Sequence, residues 1–284
     1  MKKIVNWNGE IVEVGGSRGS GVIGFANYED NLVIPGRLRD TNTLLYPYWP
    51  YPDILSKLEH SSHITDYPMN ERWDLNRHLG FYCDLQSINS EDAITWSVFG
   101  SLNCFHMNDR LKFYNQLLQK IGYHNADEKT CFISNWQRIG HPDTFYLGND
   151  RIISHSPGIR TIVKLNKKAS VPELDLMIIS EKFIVFGEAK WQGDIARNQG
   201  MNKDKDQLEI RLEYFNTLGK TLFPDKEQVL LFININGEVE TKIKDELKII
   251  TWAELCNELE HPLKDELKKY YDFKLNWKER KFQE

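Results

Sequence analysis

The chain has 284 residues, 40% hydrophobic and 27% charged, with a formal net charge of −5. That length carries one large core or two modest domains, and the composition is ordinary for a globular protein rather than a disordered or fibrous one. The acidic balance excludes a uniformly basic nucleic-acid coat, although a local basic face or a bound cation can still engage phosphate. The four cysteines, Cys83, Cys104, Cys131 and Cys256, form no CxxC pair, so neither a zinc site nor a disulfide framework is expected. The N-terminus lacks the apolar run of a signal peptide. No stretch approaches the roughly 20 apolar residues that span a bilayer, and a cytoplasmic location is the expectation.

Residues 1–80 are rich in Gly, Pro, Tyr and Asn. Residues 11–14 and 21–25 read as short strands around Gly15-Gly16-Ser17-Arg18-Gly19-Ser20-Gly21. That loop lacks the Gly-Lys-Ser/Thr ending of a phosphate loop, and no strong helical pattern follows it. A hairpin loop is therefore the better reading. Tyr46-Pro47-Tyr48-Trp49-Pro50-Tyr51-Pro52 cannot lie inside a helix or a central strand. It reads as an extended aromatic segment packed on another surface.

A helix is predicted from Ser90-Glu91-Asp92-Ala93, an N-cap followed by two first-turn acids. Ile94, Val98, Phe99 and Leu102 continue it at helical spacing to about residue 105. A second helix is expected over 109–121. Residues 173–180 and 183–190 read as two strands joined by a short link, hence an antiparallel hairpin. A helix over about 204–218, strands at 228–235 and 247–250, and a helix opening at Thr251 follow. The charged residues 262–284 form a partly helical tail. Strands interleaved with helices predict an α/β or α+β fold, with residues 1–80 as an N-terminal region, 81–260 as the core and 261–284 as the tail.

Strand alternation puts Glu173, Asp175 and Met177 on one face of the first hairpin strand, and Glu188 with Lys190 on one face of the second. The hairpin can bring Asp175, Glu188 and Lys190 together at one end of the sheet. Ala189 points its side chain away, but its carbonyl can help coordinate an ion. Carboxylates of this kind hold Mg²⁺, which takes few protein ligands and keeps several waters. The metal would stabilise charge on a scissile phosphate and acidify a bound water, and a lysine beside it positions that water or screens developing charge. A plain reading also exists: a solvated hairpin end with an ordinary surface ion pair. Glu173 is either a further carboxylate of the site or a solvent-facing residue at the strand start.

Pro172-Glu173-Leu174-Asp175, the hydrophobic hairpin and Glu188-Ala189-Lys190 resemble the PD-(D/E)xK nuclease superfamily, the restriction-endonuclease-like fold. The resemblance covers roughly residues 90–235. It implies a mixed β-sheet core flanked by helices, Asp175 and Glu188 as ligands of Mg²⁺ (Mn²⁺ substituting), and Lys190 as the catalytic lysine. It also implies an acidic residue from a helix before the hairpin, for which Glu91 stands, and a glutamine on the helix after it, for which Gln207 stands. Arg211, four residues on, would share that helix face. The function expected from the resemblance is hydrolysis of DNA phosphodiesters, in restriction or other defence, with a homodimer or successive nicks needed to cut both strands. The alternatives are a non-catalytic nucleic-acid-binding module of the same fold and a nuclease acting on RNA. Lys164, Lys167, Lys168, Arg197, Lys203 and Lys205 are candidate phosphate contacts. His106, His124, His141 and His155 show no metal-ligand spacing.

Overall fold

The computed structural model describes residues 2–9, 11–15, 22–23, 43–44, 85, 88–138, 173–196, 204–220 and 223–277. In chain order the elements are β1 (Lys2–Val5), β2 (Ile11–Gly15), β3 (Val22–Ile23), α1 (Glu91–Thr95), α2 (Met107–Lys120), β4 (Cys131–Arg138), β5 (Glu173–Ser180), β6 (Phe183–Ala189), α3 (Gln207–Tyr214), β7 (Glu227–Asn234), β8 (Leu247–Thr251), α4 (Trp252–Asn257) and α5 (Lys264–Asn276). The mixed α/β class agrees with the sequence expectation. The expected glycine loop at 16–21, the aromatic segment at 46–52 and Pro172 lie outside the described residues. No helix among the described residues is long and apolar enough to cross a membrane.

The chain divides into two compact units, residues 1–101 with 263–284, and residues 102–262. This division differs from the boundaries at 80 and 260 drawn from sequence. The reason is a shared core: Ile4, Ile88, Phe273 and Trp277 are buried together, with Trp7 packed against them. The charged C-terminal segment is therefore a core element of the first unit rather than a tail. Its helix α5 buries Leu267, Tyr270, Tyr271, Phe273 and Lys274 on one side.

In the first unit, β1, β2 and β3 form an antiparallel three-stranded sheet, with Ile4 opposite Val12 and Val14 opposite Ile23. Helix α1 starts as predicted, with the Ser90 hydroxyl accepting from the Ala93 amide at 3.2 Å. It does not continue as regular α-helix to 105. It widens into a π-helical turn over Trp96–Gly100 and tightens to a 3₁₀ turn over Ser101–Cys104. Thr95, Ser97 and Ser101 each donate their hydroxyl to the carbonyl four residues back, and such back-bonding competes with the helical ladder. A Cβ at Gly100 would overlap the Trp96 ring, so that position is restricted to glycine.

Lys274 on α5 is fully buried. Its Nζ donates to the Ile88 carbonyl, and the neighbouring Trp277 indole donates to Asn89 Oδ1 at 3.0 Å. Burial pulls the Lys274 pKa well below its ordinary 10.5, and the Glu91 charge draws it partly back. Between that depressed value and 10.5 the unfolded chain holds a proton that the folded chain has released. Stability contributed by this site therefore rises with pH across that window, by at most about 1.4 kcal/mol per unit. Urea denaturation between about pH 7 and about pH 9 should show this rise in the wild type and a flatter profile in Lys274→Met.

The second unit is built on one five-stranded sheet in the order β4-β5-β6-β7-β8. Strands β4, β5 and β6 are antiparallel neighbours, while β6, β7 and β8 run parallel. The predicted hairpin is present, with Met177 opposite Phe186 and Ile179 opposite Ile184. Glu128 secures its link by accepting the Lys182 amide at 2.8 Å. Every residue of β6 is buried, as expected of a strand covered on both faces. Helix α3, continued by a π-helical turn over Phe215–Gly219, follows β6 and lies over one face, where Leu208 and Phe215 pack on Met177, Ile179, Ile184, Phe186, Leu230 and Phe232. It begins at Gln207 rather than 204 because Asp206 caps it, in a reciprocal capping box with Glu209. Thr251 and Glu254 form a second such box at the start of α4.

Gly187 stands opposite Leu176. A Cβ there would sit 2.9 Å from Leu176 Cβ, closer than packed carbons approach. Gly187→Ala should cost about 1–3 kcal/mol by overpacking, read as a lower urea midpoint with an unchanged slope.

Candidate active site

The pairing of β5 with β6 ends at Leu176 and Gly187. One further step in that register sets Asp175 opposite Glu188, so both carboxylates project on the face that α3 covers. Asp175 is half-buried, and its Oδ2 accepts the Ala189 amide at 2.8 Å. The carboxylate thus meets an amide that the ended β5–β6 ladder no longer serves. On its other side β6 stays paired to β7, with Glu188 opposite Phe232 and Ala189 opposite Ile233.

Glu188 is fully buried, and Lys190 and Arg211 are nearly so. Lys190 Nζ donates to Glu188 Oε1 at 3.1 Å. Gln207 Nε2 donates to the same oxygen. Arg211 Nε donates to Oε2 at 2.9 Å. Gln207 and Arg211 are one helical turn apart on α3, so one helix face delivers both. Burying a carboxylate is tolerable only with such compensation. The plain reading of a solvated hairpin end is thereby overturned for Glu188 and Lys190: this ion pair is interior.

Asp175, Glu188, Lys190 and Gln207 thus come together within the second unit, and Arg211 joins them. Its signal in sequence was only its spacing from Gln207. Glu91 belongs to the first unit, where it opens α1. Glu173 opens β5 opposite Arg138. Of the flanking basic residues only Lys205 lies within the described residues, and it pairs with Glu213 at 2.7 Å on an exposed surface.

The main chain at Lys190 is held from two directions. Its amide donates to the Ile233 carbonyl at 2.8 Å, and its carbonyl accepts from Trp252 Nε1 at 2.9 Å. Nothing local in the sequence pointed to Trp252. Past Lys190, a cavity of about 550 Å³ opens at the ends of β6 and β7, lined by Trp191, Phe232, Asp194, Glu238 and Glu240 among others. Its carboxylates favour a cation or an amino-bearing group over bare phosphate.

The donor set fits a magnesium ion by its chemistry. An ionised carboxylate offers about four acceptor positions. The three donors on Glu188 place two on Oε1 and one on Oε2, which leaves a position on Oε2. Asp175 and the Ala189 carbonyl supply further hard oxygens, and magnesium needs only one or two carboxylates. Among the described residues no group of three or more His, Cys, Asp or Glu side chains is gathered for a metal. No protein-family model, curated protein or solved structure matches the chain.

Glu188→Ala would remove the carboxylate that the buried Arg211 guanidinium pairs with, and one of the groups that holds Lys190. A loss of about 3–5 kcal/mol in urea denaturation is expected, with a smaller loss for Glu188→Gln, which keeps the shape and part of the hydrogen bonding. A change under about 1 kcal/mol for the alanine variant would show that the network does not hold the unit together.

Proposed function

We propose that the chain is a magnesium-dependent nuclease that hydrolyses phosphodiester bonds, with DNA as its substrate. The observation that supports this is the convergence of Asp175, Glu188 and Lys190 where the hairpin pairing ends, with Gln207 and Arg211 fixing the plane of Glu188. Asp175 and Glu188, with the Ala189 carbonyl, would hold the cation. When bound, magnesium supplies Lewis-acid stabilisation of the phosphate and a more acidic water.

The remaining chemistry belongs to the chain. Lys190 carries its ammonium within hydrogen-bond reach of Glu188, on the carboxylate face of the sheet. There it can orient a water or neutralise negative charge developing on a phosphate oxygen. Arg211 and Gln207 hold Glu188 in one orientation, which reduces the reorganisation needed for reaction. The DNA assignment and a role in restriction rest on the resemblance of the motif alone.

A second reading has its own support. Three donors on one buried carboxylate also describe a structural ion-pair network, as a non-catalytic nucleic-acid-binding module would carry. The two readings diverge at Lys190. For a nuclease, Lys190→Ala should cut cleavage about 10²–10⁴-fold while magnesium still binds, because lysine contributes no ligand oxygen. Asp175→Ala should weaken magnesium binding and abolish cleavage together. The measurements are calorimetric magnesium titrations beside cleavage of plasmid, single-stranded DNA and RNA. Wild-type cleavage by Lys190→Ala would reject the assigned role, and cleavage confined to RNA would replace the substrate.

A further inference from the structure

We infer that Trp252 is a positioning residue for Lys190, holding the lysine in register with Glu188 through the main chain. The inference rests on the nuclease reading, in which Lys190 acts on water or phosphate.

The need arises from how the site is made. A strand flanked on both sides has its carbonyls fixed by neighbouring amides. At the end of β6 this support is incomplete, because β5 stops pairing at Leu176, where Asp175 turns its carboxylate to the Ala189 amide. Lys190 is the first residue past the strand. Strand β7 still takes its amide, through the Ile233 carbonyl. Its carbonyl is taken by the indole of Trp252.

Trp252 is well placed to be a rigid partner. It is the first residue of α4, fully buried. The Thr251–Glu254 capping box fixes its backbone, with the Glu254 amide donating to Thr251 Oγ1 at 3.1 Å and Glu254 Oε2 accepting the Thr251 amide at 2.9 Å. Strand β8 enters that box paired in parallel to β7, the same strand that holds the Lys190 amide. Lys190 N–H and C=O are thus anchored to one continuous piece of sheet and helix. Phenylalanine would keep an aromatic ring in the same core position with somewhat less volume. The polar group that tryptophan adds is the N–H, and its acceptor is the carbonyl of the lysine.

The geometric consequence is specific. The Nζ of Lys190 reaches Glu188 along a four-carbon stem with several rotatable bonds, so its position depends on the backbone from which it starts. A carbonyl freed from Trp252 lets the 190–191 peptide rotate and moves the stem. Misplacement by about 1 Å is enough to lower a rate about 10²-fold.

The test is Trp252→Phe in the full chain, with Lys190→Ala and wild type beside it, using a DNA substrate and magnesium. We expect kcat to fall about 10- to 100-fold, KM and calorimetric magnesium affinity to stay within about twofold, and amide hydrogen exchange at Trp191 to speed up. Trp252→His, which retains a ring N–H, should recover part of the rate. A kcat within about twofold of wild type in folded Trp252→Phe, or a loss of rate matched by an equal loss of magnesium affinity, overturns the inference while leaving the nuclease reading standing. Absence of magnesium-dependent cleavage in the wild type overturns both.

Discussion

The second unit is organised around the buried carboxylate of Glu188. Glu188 sits near the end of the central strand of the sheet, fully buried, where an isolated carboxylate would be strongly unfavourable. Lys190, Gln207 and Arg211 make it tolerable, and they arrive by two routes: Lys190 from just past the same strand, Gln207 and Arg211 from one face of the covering helix. The position of α3 is therefore tied to the chemistry of β6 as well as to the apolar packing of Leu208 and Phe215. Such networks are weak contributors to net stability but costly to break. In the function proposed above, Lys190 would act at the phosphate as well as neutralise Glu188.

The site is also a place where the sheet stops obeying its own rules. β5 ends its pairing one residue before the carboxylates face each other, and side chains then take over backbone hydrogen bonds. Asp175 receives the Ala189 amide, and Trp252 serves the Lys190 carbonyl. Gly187, pressed against Leu176, keeps the two strands close just before they part. Local departures from regular pairing are common where a fold builds a functional constellation. The apolar remainder of the hairpin supplies the rigidity on which those departures rest.

The first unit follows a different logic. Its core joins the two ends of the chain, with Ile4 near the start and Phe273 and Trp277 near the finish. The buried Lys274 reaches the Ile88 carbonyl just ahead of α1. The desolvation of its amino group links the stability of this unit to pH.

The sequence by itself determined the hairpin, its strand pairing and the face shared by Asp175, Glu188 and Lys190. These follow from a two-residue side-chain period and a short link, both local properties. It also placed Gln207 and Arg211 on one helix face, because helical spacing is equally local. The family, the metal and the substrate remain inferences from that motif. Other features depended on long-range packing. The amphipathic C-terminal segment reads as a tail until Phe273 and Trp277 find Ile4 and Ile88. The depth of Glu188 depends on strands and a helix up to about forty residues downstream. The tie from Trp252 to Lys190 spans 62 positions, and no periodicity in a sequence carries information over that distance. Only the tertiary structure could decide these, because burial and hydrogen-bond partners are properties of the assembled fold rather than of any segment within it.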